Sequence, residues 1–86
     1  MYLHLGQNVV VPEVEVIGIF DLDNTTNSFI TRKFLGDAEK TGRVVNVSEE
    51  LPRSFIVCGT DTDNKIYLSQ LSPQTLYKRT EAMRIE

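Results

Sequence analysis

Apolar and polar positions alternate from the start of the chain. Tyr2, Leu3, His4 and Leu5 read as a first strand closed by Gly6-Gln7-Asn8, and Val9-Val10-Val11 continues as strand. Proline cannot donate to a ladder, so Pro12-Glu13 marks a turn or an edge kink. Residues 14–20 form the strongest extended segment. Their first half alternates, but Ile17, Ile19 and Phe20 make the second half apolar on both faces, which predicts a central strand covered on both sides. Gly18 inside it predicts close approach by another backbone or side chain.

From about residue 28 to residue 41 the period changes to 3.6. Ile30, Phe34, Leu35 and Ala38 share one arc, and Gly42 stands where a helix C-cap belongs. Residues 43–47 and 54–58 read as further strands, the second apolar on both faces, with the acidic loop Ser48-Glu49-Glu50-Leu51-Pro52 between them. Residues 59–64 form a turn into the strand Ile66-Tyr67-Leu68. Ser72-Pro73 then opens a last helix, with serine as N-cap and proline at the first helical position, and Leu76, Thr80 and Met83 form its narrow apolar edge.

The predicted order is ββ-α-βββ-α. It describes an α/β chain of the α+β type, with a small mixed or antiparallel sheet and one domain over residues 1–86. Two strands apolar on both faces, with only two short helices to cover them, predict that other subunits supply the missing cover.

Composition narrows the class. At 41% hydrophobic and 24% charged residues the chain is ordinary for a globular protein. No apolar run approaches the ~18 residues of a membrane span, and the start MYLHLG lacks the basic and long apolar regions of a secretory signal. Cys58 is the single cysteine, so no intrachain disulfide forms, and the expectation is a soluble domain in a reducing cytoplasm.

Charge is uneven. Four acidic and no basic side chains precede Arg32, whereas nine basic and eight acidic ones follow from there, giving −3 overall. That excludes a polybasic N-terminal arm and a histone-like global charge, but not a basic patch gathered by folding or assembly.

Candidate chemistry is sparse. Asp21-Leu22-Asp23-Asn24-Thr25 after an apolar strand resembles the first motif of haloacid dehalogenase phosphohydrolases, in which one carboxylate attacks phosphorus beside Mg²⁺ and the other moves the proton. That chemistry needs a doubly wound parallel sheet with βαβ crossovers of ~30 residues each, for which this chain is too short. Asp21 and Asp23 read instead as a strand end, with Asp23, Asn24 or Thr25 capping the helix. Asp61-Thr62-Asp63-Asn64 lacks the glycine and closing glutamate of a calcium loop and reads as a hairpin turn. His4 has no second ligand near it, Cys58 ends a buried strand as a small core residue, and no nucleophilic triad or phosphate-cradling glycine loop can be assembled. No catalytic site, metal or cofactor is expected.

The cations remain. Lys33 and Lys40 fall on one side of the first helix, Arg32 lies further round, and Arg53 stands between the acidic loop and a strand. They read either as a solvated face or as a phosphate-contacting surface repeated around an oligomer.

Four blocks in order carry a family resemblance. MYLHLG, then IGIFDLDNTT before a helix, RSFIV after an acidic loop, and IYLSQLSPQTLYKR resemble the extracellular matrix regulatory proteins of Gram-positive bacteria, and most resemble the B type. The resemblance covers nearly the whole chain and accounts for the Asp-x-Asp-x-Thr match as a strand-to-helix junction. It implies a small α/β subunit closing into a ring, with DNA held against a basic ring surface. It also implies kinship with A-type members that activate biofilm-matrix operons. Where those members place DNA-contacting arginines, the corresponding positions here are about Glu15 and about Glu49-Glu50, and only Arg53 keeps its type. A carboxylate repels phosphate where an arginine would grip it.

The expected function is a non-enzymatic, DNA-associated transcriptional regulator of biofilm and extracellular matrix genes that acts as a homo-oligomeric ring in the cytoplasm. Arg53, Arg32, Lys33 and Lys40 would contact phosphates of double-stranded DNA without reading bases. The alternative is a ring-forming adaptor that binds another protein, such as a related A-type regulator, and no DNA. A minimal Mg²⁺ phosphohydrolase using Asp21 and Asp23 is a distant third.

Overall fold

The computed structural model describes residues 2–22, 29–59 and 63–83, leaving out the side chains of 29–31 and 81–83. Strands β1 (Tyr2–Gly6) and β2 (Val9–Pro12) form an antiparallel hairpin. Gln7 and Asn8 between them both take left-handed backbone angles, with φ of 48° and 69°. That is the demand of a type I′ turn, whose twist matches the strands it joins. Alternation holds here, since Leu3 and Leu5 are buried while Tyr2 and His4 are exposed.

A 3-10 turn, Glu13–Glu15, leads into β3 (Val16–Asp21), and α1 (Phe29–Lys40) follows. The chain continues through β4 (Val44–Asn46), β5 (Ser54–Gly59), β6 (Asn64–Ser69) and α2 (Pro73–Met83). The second sheet has the order β3-β5-β6-β4, antiparallel except for the parallel pair β4·β6. The mixed sheet agrees with the expectation from the sequence, and the order βββ-α-βββ-α differs from the expected ββ-α-βββ-α by one strand, because the turn at Gln7-Asn8 splits the first extended stretch into a hairpin.

One strand does not sit where the sequence predicts. The apolar segment expected at the centre starts at Val16 and lies at the sheet edge, with Ile17 62% and Phe20 42% exposed. Val16 pairs with Cys58 and Gly18 with Val57, so Ile17 is an extra residue, bulged out of the ladder. The central position goes to β5, where Ser54 to Cys58 are all buried. An apolar strand at an exposed edge and a fully covered strand carry the same two-faced pattern. Only the pairing partners distinguish them.

Cross-strand register assigns the two faces. On one, Phe55, Val57 and Ile66 pack with Leu68, Val44 and Leu22 under Leu35 and Ala38 of α1. On the other, Ile56 and Cys58 meet Leu3, Leu5 and Val11 of the hairpin, Val47, and Leu76 of α2. Burying each such aliphatic side chain stabilises by about 1.5–3 kcal/mol. The predicted core arc of α1 is narrower than expected, because Phe34 is 39% exposed. The side chain of Ile30 lies outside the described set. Gly18 lies under the ring of Phe20, which stacks on Phe55 at 4.9 Å between centroids.

Caps fall where the residue types place them. Gly42, at φ 72°, closes α1 in a Schellman motif: its N–H donates to Glu39 O at 3.0 Å, and the Arg43 N–H to Ala38 O at 2.9 Å. Ser72 Oγ accepts the Thr75 N–H at 3.2 Å and caps α2.

Buried Ser69 ties the hairpin to the sheet, and buried Ser54 ties the sheet to the segment before α2. Ser69 Oγ donates to Leu5 O at 2.8 Å and accepts the Leu71 N–H at 3.1 Å, while Ser54 Oγ donates to Leu71 O at 2.8 Å. On the edge side, the Tyr77 hydroxyl of α2 donates to Ile19 O at 3.3 Å, and Arg79 Nη1 donates to His4 O at 3.2 Å.

The expected helix caps Asp23, Asn24 and Thr25, the start of the first helix at residue 28, and Asp61-Thr62 lie outside the described residues. Asp21 ends an edge strand paired antiparallel with β5, so the sheet around it is not the parallel, doubly wound one that phosphohydrolase chemistry uses.

Candidate nucleic-acid interface

Three of the four cations singled out from the sequence meet on α1. Arg32, Gly36 and Lys40 are spaced four apart and form one ridge of the helix, and Lys33 and Asp37 form the next. Together they line an open groove of about 560 Å³. A Cβ at Gly36 would meet nothing within 4 Å, so the groove floor is bare helix backbone. Arg32, Lys33 and Lys40 against Asp37 leave two net positive charges there, all on exposed side chains. The eight steps from Arg32 to Lys40 rise about 12 Å, comparable to three or four phosphates along one strand at about 3.4 Å each.

Arg53, the fourth, stands apart from the groove. Its N–H donates to Ser69 O at 2.8 Å and its carbonyl accepts the Leu22 N–H at 3.0 Å, which fixes the residue where β3 and β6 end. Between it and α1 opens an apolar cleft of about 400 Å³, lined by Leu22, Leu35, Val44, Leu51, Pro52 and Leu68, with Glu39 as its single charge. Leu51, 86% exposed, is its outer lip.

The carboxylates divide between two places. Glu49 and Glu50 are exposed on the loop before Arg53, where Ser48 Oγ accepts the Glu50 N–H at 3.1 Å. Glu15 lies in the turn before β3, beside a small polar recess with Cys58, Asp63, Lys65 and Tyr67. Burial, and secondarily the Glu15 charge, push the Cys58 thiol up to about 11, so at neutral pH it is a protonated core thiol rather than a nucleophile. Burial raises Tyr67 as well, with Cys58 and Glu15 adding to it. No cluster of three metal-ligating side chains exists among the described residues, and no helix of the described chain is long and apolar enough to cross a membrane.

Sequence reasoning missed two parts of this surface. Gly36, one of five scattered glycines, is the groove floor, and the four-residue spacing Arg32-Gly36-Lys40 was the available signal. The apolar cleft had none, because Leu22, Val44, Leu51 and Leu68 come together only through the strand order.

The sequence model described as extracellular matrix regulatory protein A-like, the RemA-like family, matches residues 2–80. Extracellular matrix regulatory protein B of Bacillus subtilis (strain 168) is 37% identical over 83 residues, spanning 96% of this chain and 94% of that protein. With a basic helix groove on a small mixed-sheet fold and similarity over almost its entire length, the chain belongs to the RemA-like family of extracellular matrix regulatory proteins.

Proposed function

We propose that the protein is a non-enzymatic, DNA-associated transcriptional regulator of biofilm and extracellular matrix genes, working in the cytoplasm as a homo-oligomeric ring. The observation that carries the DNA reading is the convergence of Arg32, Lys33 and Lys40 on one groove with a bare Gly36 floor. These groups would bind phosphates and position the duplex without reading bases, since backbone contacts carry no sequence information directly. Repetition around a ring would multiply a modest local charge. Exposed Ile17 and Phe20 on β3 support self-assembly, because apolar side chains on a sheet edge are surface that a second copy can cover.

Electrophoretic shift of duplex DNA at low salt tests this. Lys33→Ala with Lys40→Ala is expected to weaken the shift and reduce the slope of log affinity against log salt by about 1.8, about 0.9 per lost phosphate contact. An unchanged slope removes the groove from the interface. A second reading is favoured by exposed Glu49 and Glu50, which face solvent on the same molecule: a ring-forming adaptor for a basic protein partner, such as a related A-type regulator. The absence of any shift at any salt would select it.

A further inference from the structure

The groove of α1 has an electrostatic counterpart in the same chain. The loop over residues 48–52 presents Glu49 and Glu50, both exposed, followed by Leu51 at 86% exposure. The helix presents Arg32 and Lys33, both exposed, with Lys40 two turns on. Two carboxylates thus stand against three cations. Among the described residues, Asp37 is the single acidic group in the groove wall.

The loop cannot fill the groove of its own molecule. Leu51 and Pro52 face the flank of α1 that carries Leu35 and Glu39 across the apolar cleft. At 100° per residue, the groove residues are turned about 110° further round the helix axis. A loop whose Glu50 N–H is tied to Ser48 Oγ, and whose continuation is fixed by Arg53 between Leu22 and Ser69, does not wrap round that helix. The groove of another molecule carries no such restriction.

We infer that the Glu49-Glu50 loop of one copy docks in the Arg32/Lys33/Lys40 groove of a second copy, taking the place of a phosphate backbone. The contact is heterologous: each molecule offers one loop and one groove, so copies add in series. Self-association by this route and nucleic-acid binding compete for one set of cations, and both weaken with salt. The inference rests on reading the groove as an anion-contacting surface, and it supplies a regulator of that surface, the protein's own concentration.

Charge reversal tests it on the full chain. Sedimentation velocity at about 50 mM and about 500 mM salt separates charge-held from apolar association, since screening shortens the electrostatic range several-fold. We expect a mass excess at low salt. It should be lost in Glu49→Lys/Glu50→Lys and in Lys33→Glu/Lys40→Glu, and restored when the two variants are mixed in equal amounts. All four positions are exposed, and circular dichroism of each variant confirms that the fold persists. An absent excess, an excess that survives either reversal, or a mixture that stays dissociated overturns the inference.

The DNA arm is read separately. Raising the concentration of the unaltered protein is expected to weaken its duplex affinity about threefold to tenfold, a dependence that Glu49→Gln/Glu50→Gln should lack because the competitor is gone. Unaltered affinity with duplex bound counts against competition. If neither protein binds duplex, the DNA reading fails while the mixing experiment still decides the docking.

Discussion

Gly36 allows the fold and the groove to be perturbed separately. It lies inside α1, where glycine costs about 0.5–1 kcal/mol relative to alanine. An added Cβ meets nothing within 4 Å, so Gly36→Ala carries no steric penalty. For a chain of this size that gain corresponds to a rise in Tm of about 2–8 °C. Gly36→Glu has nearly the same helix propensity. It also places a carboxylate four residues after Arg32 and four before Lys40, pairs worth about 0.2–0.5 kcal/mol each. Both variants are therefore expected to be at least as stable as the parent.

Their effects on binding should differ. Glutamate at the floor lowers the groove's net charge from two positive to one and draws two of its three cations inward. Duplex affinity, measured by fluorescence anisotropy at low salt, is expected to fall at least about tenfold for Gly36→Glu, or 1.4 kcal/mol. Gly36→Ala should stay within about a factor of two of the parent, because an added methyl leaves every phosphate contact in place. Equal affinities for the two variants would refute the claim that the groove contacts phosphate. Lost affinity in Gly36→Ala would show that bare backbone, not cation placement, is the recognising element.

Two further outcomes follow from the core. Ser69→Ala leaves Leu5 O and the Leu71 N–H without their serine partner in a buried site, and is expected to cost about 2–4 kcal/mol in urea unfolding at fixed protein concentration. Ser54→Ala, which removes one bond to Leu71 O, should cost about 1 kcal/mol, and equal losses would contradict this ranking. Cys58 should make stability fall with rising pH in the alkaline range. Its thiol is held up from 9.0 to about 11, so the folded chain keeps a proton that the unfolded chain releases. The loss begins near pH 9 and continues to about pH 11, and it shrinks in Cys58→Ala, where the raised Tyr67 hydroxyl retains a part of it.

The sequence made local structure legible and left pairing hidden. Gly6-Gln7-Asn8, Gly42 and Ser72 each punctuate the chain through a backbone angle or a capping oxygen, and each acts where it was read. Residues 54–58 revealed a two-sided strand because nothing polar interrupts them after Ser54. Residues 14–20 misled for the same reason. Burial by β5 on one side and exposure of Ile17 and Phe20 on the other both favour apolar side chains, if the exposed ones await a partner. The parallel pair β4·β6 joins residues 22 apart, such as Val44 and Ile66, and no periodicity encodes it. Likewise, Lys33 and Lys40 could be placed on one helix side by angle alone, but the absence of Arg53 from their groove follows only from the strand order.

The outer border of β3 has a consequence for life at high concentration. A long apolar strand on an open border is ordinarily a seed for cross-β growth, because each added strand finds unused main-chain donors and acceptors. Here the bulge at Ile17 interrupts the repeat and the Tyr77 hydroxyl already occupies the Ile19 carbonyl. Molecules meeting at this border find its row of main-chain groups broken at Ile17 and Ile19, which favours reversible side-chain contacts over a growing fibril.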